Sequence, residues 1–153
     1  MPAEASPLKV RIQDNVKDAM RAKDKHRLGA LRQITAAIKQ SEVDNRQDLS
    51  DDDILVILTK MTKQRKDALS QYEQAGREDL AAIERDELAI IEEFLPAAMT
   101  EAELEAAIAS AIAESGASSV KDMGAVMNVL RPKIQGRADM GAVSSQVKAA
   151  LSA

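Results

Sequence analysis

Only two aromatic residues, Tyr72 and Phe94, occur in 153 positions, while Ala, Leu, Ile, Val and Met are plentiful. That scarcity restricts the fold strongly. Strand-rich proteins draw on aromatic and β-branched side chains to pack a pleated surface, whereas aliphatic residues at 3.6-residue spacing pack helix against helix. Charged residues, 30% of the chain, are interspersed with apolar ones, unlike the segregated, weakly apolar pattern of a disordered chain. An all-α fold with an aliphatic core is the expectation.

Start and stop signals divide the chain into seven helices. Ser6-Pro7 provides a cap followed by Pro at the first helical position. Leu8, Ile12, Val16 and Ala19 then recur on one face. A second helix opens near Asp24 with Leu28, Leu31, Ile34 and Ile38, and the polar stretch from Asp44 to Asp48 reads as a loop. Ser50 with Asp53 makes a capping box, and Leu49 with Ile54 a hydrophobic staple. That helix is expected to run to about Ala75, with Gly76 ending it. A fourth spans about Asp79 to Phe94, before Pro96. Thr100 with Glu103 opens the fifth helix, which ends near Ser115-Gly116. Ser119 with Asp122 opens the sixth, carrying Met123, Val126, Met127 and Leu130. Arg131-Pro132 is expected to disturb or end it, and Asp139 to cap a last helix with Val143, Val147 and Leu151. Pro96 separates four longer, more charged helices (1–96) from three shorter, alanine-rich ones (97–153), so two helical subdomains are expected.

One polar pair falls inside the apolar faces. In the third helix Ile54, Leu58, Met61, Ala68 and Tyr72 share a stripe with Arg65 in its middle. In the fourth, Leu80, Ile83, Ile91 and Phe94 share one with Glu87 in its middle. Arg65 lies 11 residues before Gly76 and Glu87 lies 11 after it, so an antiparallel hairpin brings them level. A partly buried Arg65–Glu87 ion pair fixing the register is expected; the alternative is an arginine presented to a phosphate.

The chain offers little for catalysis. There is no Cys, which removes disulfides, thiolate ligands and Cys nucleophiles. His26, the single His, sits among charged residues between two helices with no partner for a dyad or a metal site. Asp51, Asp52, Asp53, Glu101 and Glu103 stand where helix N-termini favour acids. Ser118-Ser119 with Lys121 has a superficial likeness to Ser-Ser-Lys amidase chemistry but lies at a helix start. No glycine-rich phosphate loop is present. No metal or cofactor is expected, and no intrinsic enzymatic activity. With no 20-residue apolar run, and no signal-peptide pattern in Met1 to Ser6, a cytosolic location away from membranes is the expectation.

Charge is distributed unevenly. The total is −4, which argues against bulk attraction to nucleic acid. Acids dominate from Leu49 to Pro96. From Ala117 onward the balance is +3, through Lys121, Arg131, Lys133, Arg137 and Lys148 against Asp122 and Asp139. The first two helices carry Lys9, Arg11, Lys17, Arg21, Lys23, Lys25, Arg27, Arg32 and Lys39, diluted by Asp14, Asp18 and Asp24. Arg131, Lys133 and Arg137 surround one Gly-closed turn with no acid among them. With no stacking aromatics nearby, any RNA contact there would be to phosphate and shape.

In order and spacing, these segments resemble the YqeY-like family: Leu31-Arg32 with Ile38, Lys63-Gln64-Arg65, Tyr72 through Gly76-Arg77 with Asp79-Leu80-Ala81, Glu93-Phe94-Leu95-Pro96, Asp122-Met123-Gly124 with Val126-Met127, and Gly136-Arg137-Ala138-Asp139 with Val143-Ser144 and Val147-Lys148. Asp67-Ala68 and Met140 depart from the usual Glu-Ser and Gly. The resemblance covers nearly the whole chain. It implies a two-part helical fold and kinship with the tail domain of the GatB subunit of glutamine-dependent tRNA amidotransferases, matched here from Val126 through Leu151. That tail contacts tRNA, and the family is grouped under carbon–nitrogen ligase activity with glutamine as amido-N-donor. The catalytic domains have no counterpart in this chain, so the grouping marks ancestry.

Two functions follow as expectations. The first is an RNA-associated module binding tRNA through Lys121, Arg131, Lys133, Arg137 and Lys148. The second is a protein–protein adaptor, to which seven Met residues lend adaptable surface. On the first, reversing Lys133 and Arg137 together is expected to weaken RNA binding and flatten its salt dependence, as measured by titration across a salt series.

Overall fold

A computed structural model describes residues 6–152; of the signal-peptide reading of Met1 to Ser6, all but Ser6 lies outside them. Among the described residues there are seven α-helices and no strand: α1 (Pro7–Arg21), α2 (Lys25–Asn45), α3 (Asp51–Gln74), α4 (Glu78–Glu92), α5 (Glu101–Ser115), α6 (Met123–Ile134) and α7 (Met140–Ser152). A single 3-10 turn, Val120–Asp122, leads into α6. The chain divides into two compact units between Leu95 and Pro96, one residue ahead of the expected boundary.

Side-chain caps begin α1, α2, α3 and α5. Ser6 Oγ accepts from the Lys9 amide at 3.2 Å, and Asp24 Oδ1 from the Arg27 amide at 3.1 Å. Ser50 and Asp53 exchange bonds of 3.2 and 3.0 Å in a complete capping box. Thr100 Oγ1 accepts from Glu103 at 3.1 Å. Each such cap contributes about 1 kcal/mol by satisfying an amide that the helix leaves orphaned. Asp51 does something the sequence did not indicate. It accepts from the Leu8 amide at 3.2 Å and from the buried Ser6 hydroxyl, pinning the start of α1 to the start of α3.

In the first unit α1–α2 and α3–α4 form two antiparallel hairpins, the second with the most extensive interface, and α2 packs on α4 while α1 packs on α3. Ile12, Leu31, Ile34, Ile54 and Leu58 are fully buried between them, with Ile91 and Phe94 closing one end. Complete burial of one such side chain contributes about 1.5–3 kcal/mol. The second unit packs α5, α6 and α7 around Ala111, Val126, Leu130, Ile134, Val143 and Val147.

Two elements differ from expectation. α6 does not stop at Arg131-Pro132 but carries Pro132 inside it to Ile134, whose side chain is fully buried; burial of Ile134 offsets the amide that proline lacks. On α4 the inward face is Ala81, Glu84, Leu88 and Ile91, while Ile83 is 45% exposed. Ala81, with no accessible surface, lets α3 and α4 approach closely and turns the face by about one position.

That turn brings a second carboxylate to Arg65. Arg65 Nη1 lies 2.8 Å from Glu87 Oε2 and 3.4 Å from Glu84 Oε2, and Nη2 donates to Gln33 Oε1 of α2. The Glu87 contact is a close ion pair without hydrogen-bond alignment, since its buried Oε2 receives no aligned donor. Both carboxylates are largely covered, at 10% and 13% side-chain exposure. Removing the arginine leaves them buried without a counter-charge. Arg65→Met should therefore lower unfolding stability by about 3 kcal/mol in urea titrations, and adding Glu84→Gln should recover part of the loss.

Candidate nucleic-acid interface

Five cations of the second unit stand out by sequence, and their neighbours separate them. Lys133 and Arg131 lie two positions apart on α6, about 200° around a helix, so they face different ways. Lys133 Nζ pairs with Glu114 Oε2 of α5 at 3.0 Å. Arg137 follows Gly136, which has φ of 77°, a left-handed turn that glycine adopts freely. Its Nε donates to the Ala97 carbonyl at 2.9 Å, its Nη2 approaches Glu103 Oε2 at 3.4 Å, and its own carbonyl accepts from the Met99 amide at 2.9 Å. Arg137 thus ties the chain entering α5 to the turn before α7. The stretch from Arg131 to Arg137 contains no acid of its own, but α5 brings Glu114 to Lys133 and Glu103 to Arg137.

Lys121, Arg131 and Lys148 are exposed, with no carboxylate at ion-pair distance among the described residues. The 3-10 turn carrying Lys121 packs against both α6 and α7, because residues 135–139 reverse the chain and return α7 toward it. Lys121 and the late Lys148 therefore lie toward one end of the unit. Arg131, in the last turn of α6, lies toward the other, where a cation also complements the helix dipole. The five cations are thus distributed over the unit and not gathered at one turn.

Asp122 shapes the Lys121 end. Its Oδ2 accepts from the Ser118 amide at 2.9 Å and the Ser119 amide at 3.3 Å, with the Ser118 hydroxyl at 3.4 Å. The Asp122 amide donates to the Ser119 carbonyl, so the two serines are turn-formers. The Ser118 bond first, then the Ser119 bond, hold the Asp122 carboxyl below the usual aspartate range.

Elsewhere, His26 is exposed and lies 3.7 Å from Asp86 of α4. Arg27 forks onto Glu93 at 2.6 and 3.0 Å and reaches Asn15 at 2.9 Å; the Glu93 hydrogen bond pushes its guanidinium above the usual arginine value. Arg11 donates to the Glu93 carbonyl at 2.7 Å and lies 5.1 Å from the Phe94 ring centroid. These two arginines hold the end of α4 against the first hairpin. No group of three or more potential metal ligands occurs among the described residues, and no described helix is long and apolar enough to cross a membrane.

A group whose carboxyl is held low when folded stabilises the fold fully above its ordinary range and loses that contribution as pH falls below it. Thermal unfolding followed at α6 amides should show this acid-side loss in the native chain. Asp122→Asn should lower the melting temperature at neutral pH and remove Asp122's share of the dependence.

One family and three yeast proteins share sequence with this chain. The Yqey-like protein family matches residues 9–151. The chain is 36% identical over 85 residues to "Altered inheritance of mitochondria protein 41, mitochondrial" of Vanderwaltozyma polyspora, covering 55% of this chain and 46% of that protein. It is 33% identical to the protein of the same name from Kluyveromyces lactis, covering 59% and 51%. An uncharacterized protein of Schizosaccharomyces pombe is 30% identical, covering 61% of this chain and 77% of its own length. The chain spans about half the length of the first two relatives. With the family pattern running through all seven helices, this chain belongs to the YqeY-like family.

Proposed function

We propose that this chain is a non-catalytic helical module that associates with structured RNA, tRNA foremost, through phosphate contacts from its second unit. The observation that carries the reading is the set of exposed cations Lys121, Arg131 and Lys148, none with a carboxylate at ion-pair distance among the described residues. A cation without an internal partner is free to displace counterions from a phosphate, the main source of sequence-independent affinity for nucleic acid. Lys133 and Arg137 stand second, because a phosphate there competes with Glu114 and Glu103. Kinship to the amidotransferase tail supports the choice of tRNA, and kinship to carbon–nitrogen ligases is read as ancestry. The proposed location is the cytosol. The Vanderwaltozyma polyspora and Kluyveromyces lactis relatives carry "mitochondrial" in their names, and the reading holds for any compartment that contains tRNA.

The test is equilibrium binding of the full chain to bulk tRNA by fluorescence anisotropy across a salt series, with duplex DNA as comparator. Each phosphate contact removed reduces the slope of log affinity against log salt by about 1. Lys121→Glu, Arg131→Glu and Lys148→Glu combined should flatten that slope by about 2–3 and weaken binding, with the helical circular dichroism unchanged. Unaltered affinity in the triple variant would remove the assignment.

A further inference from the structure

The first unit carries a second uncovered surface with a different chemistry. An open groove of about 450 Å³ lies between α1 and α2, with Ile12 and Thr35 among its lining and Lys9, Arg32, Lys39 and Glu42 around them. At Lys39 and Glu42 it continues into a second hollow bordered by Val43 and Arg46.

Both walls show the same alternation. On α2 the exposed residues Arg32, Ala36, Lys39, Val43 and its C-cap Arg46 follow i, i+4, i+7, i+11, i+14 spacing, which is one stripe of a helix. On α1, Gln13 lines the groove, and Val10, Lys17 and Met20 share its stripe at i−3, i+4 and i+7. Val10, Met20 and Val43 are 41%, 53% and 63% exposed. Of these, Val43 borders the second hollow, while Val10 and Met20 continue the Gln13 stripe along α1 beyond the lining residues. Apolar residues repeating at helical period on an exposed face offer anchors to a helix laid beside it.

The free charge is positive. Glu42 is held by Lys9 Nζ at 2.7 Å, with its Oε1 buried, so its charge is matched within the fold. Lys17, Arg32, Lys39 and Arg46 have no carboxylate at ion-pair distance among the described residues. Asp48, at the far mouth, is the one unmatched acid of the lining. The three α2 cations repeat every seven residues, about 10.5 Å along a helix. A second helix laid beside α2 repeats its own side chains at that same interval. Phosphates along a nucleic-acid strand come about every 3.4 Å and make no use of the intervening Ala36 and Val43.

We propose that the outer face of the α1–α2 hairpin is a docking groove for an acidic amphipathic helix of a partner protein, its carboxylates meeting Arg32, Lys39 and Arg46 and its apolar side chains covering Val10, Ala36 and Val43. Such helix-in-groove recognition takes its affinity from the apolar anchors and its choice of partner from the charges.

The probe is a labelled, stapled synthetic helix of about 18 residues, with Glu at three positions seven apart and Leu at the intervening i+4 and i+11 positions. The controls are the same peptide with Lys for Glu and a single-stranded RNA dodecamer. Anisotropy with the full chain gives affinities, and amide chemical shifts locate the site. The acidic peptide should bind at least about tenfold tighter than its lysine counterpart, because like charges across an interface are strongly disfavoured, with shifts confined to α1 and α2. Arg32→Glu with Lys39→Glu, and separately Val43→Ser, should each weaken it by about tenfold or more, with circular dichroism and tRNA affinity unchanged. Equal binding of the two peptides, shifts mapping elsewhere, or the RNA dodecamer displacing the acidic peptide from this face would each overturn the proposal.

Discussion

One guanidinium holds the first unit in register. Arg65 extends from α3 to Gln33 of α2 and to Glu84 and Glu87 of α4, so three of four helices meet at a single side chain. Its position explains the effect. On one side lie Leu58 and Ile91 in the aliphatic core; on the other the α3–α4 hairpin runs on toward Gly76 with Ala68, Tyr72 and Leu80 only half-buried. Aliphatic packing is non-directional and tolerates a helix sliding by one turn. A planar fork of donors facing fixed carboxylates does not, so the choice of one register from several similar ones is made there.

The second unit uses its charges in two ways. Arg137 and Lys133 close the structure on itself, against a backbone carbonyl and the acids of α5. Lys121, Arg131 and Lys148 face solvent. The same division runs through the first unit, where Arg11 and Arg27 hold the end of α4 and Arg32 and Lys39 point outward. A basic residue count is thus a poor guide to binding surface here. What matters is whether the fold already supplies the counter-charge, and most surface pairs contribute little stability in either case.

The seven helices, and the side-chain caps of four of them, were legible because start and stop signals are local: Ser6, Asp24, Ser50 and Thr100 each bond an amide three residues on. The family was legible because its motifs keep their order and spacing along the chain, some inside α2 and α3 and others at the helix boundaries near Gly76, Pro96, Asp122 and Gly136. The level placement of Arg65 and Glu87 followed from counting away from Gly76. What stayed hidden depends on the third dimension. Glu84 reads as a surface residue until Ala81 lets α4 rotate against α3. Glu103 and Glu114 are 34 and 19 residues from the cations they meet, and no periodicity connects them. Pro132 reads as a stop unless one knows that Ile134 has a pocket to fill.

Asp51 has a consequence for the order in which the chain is made. It serves the first turns of both α1 and α3, and the opening hairpin is further held by Glu93, through Arg11 and Arg27. During synthesis, α1 leaves the ribosome with its N-terminus lacking the carboxylate that anchors it, which emerges more than forty residues later. The arginines at Arg11 and Arg27 wait longer still. Helices α1 and α2 therefore spend much of translation as an unlatched pair, and the first unit closes only when its last helix is complete, just as Pro96 begins the second.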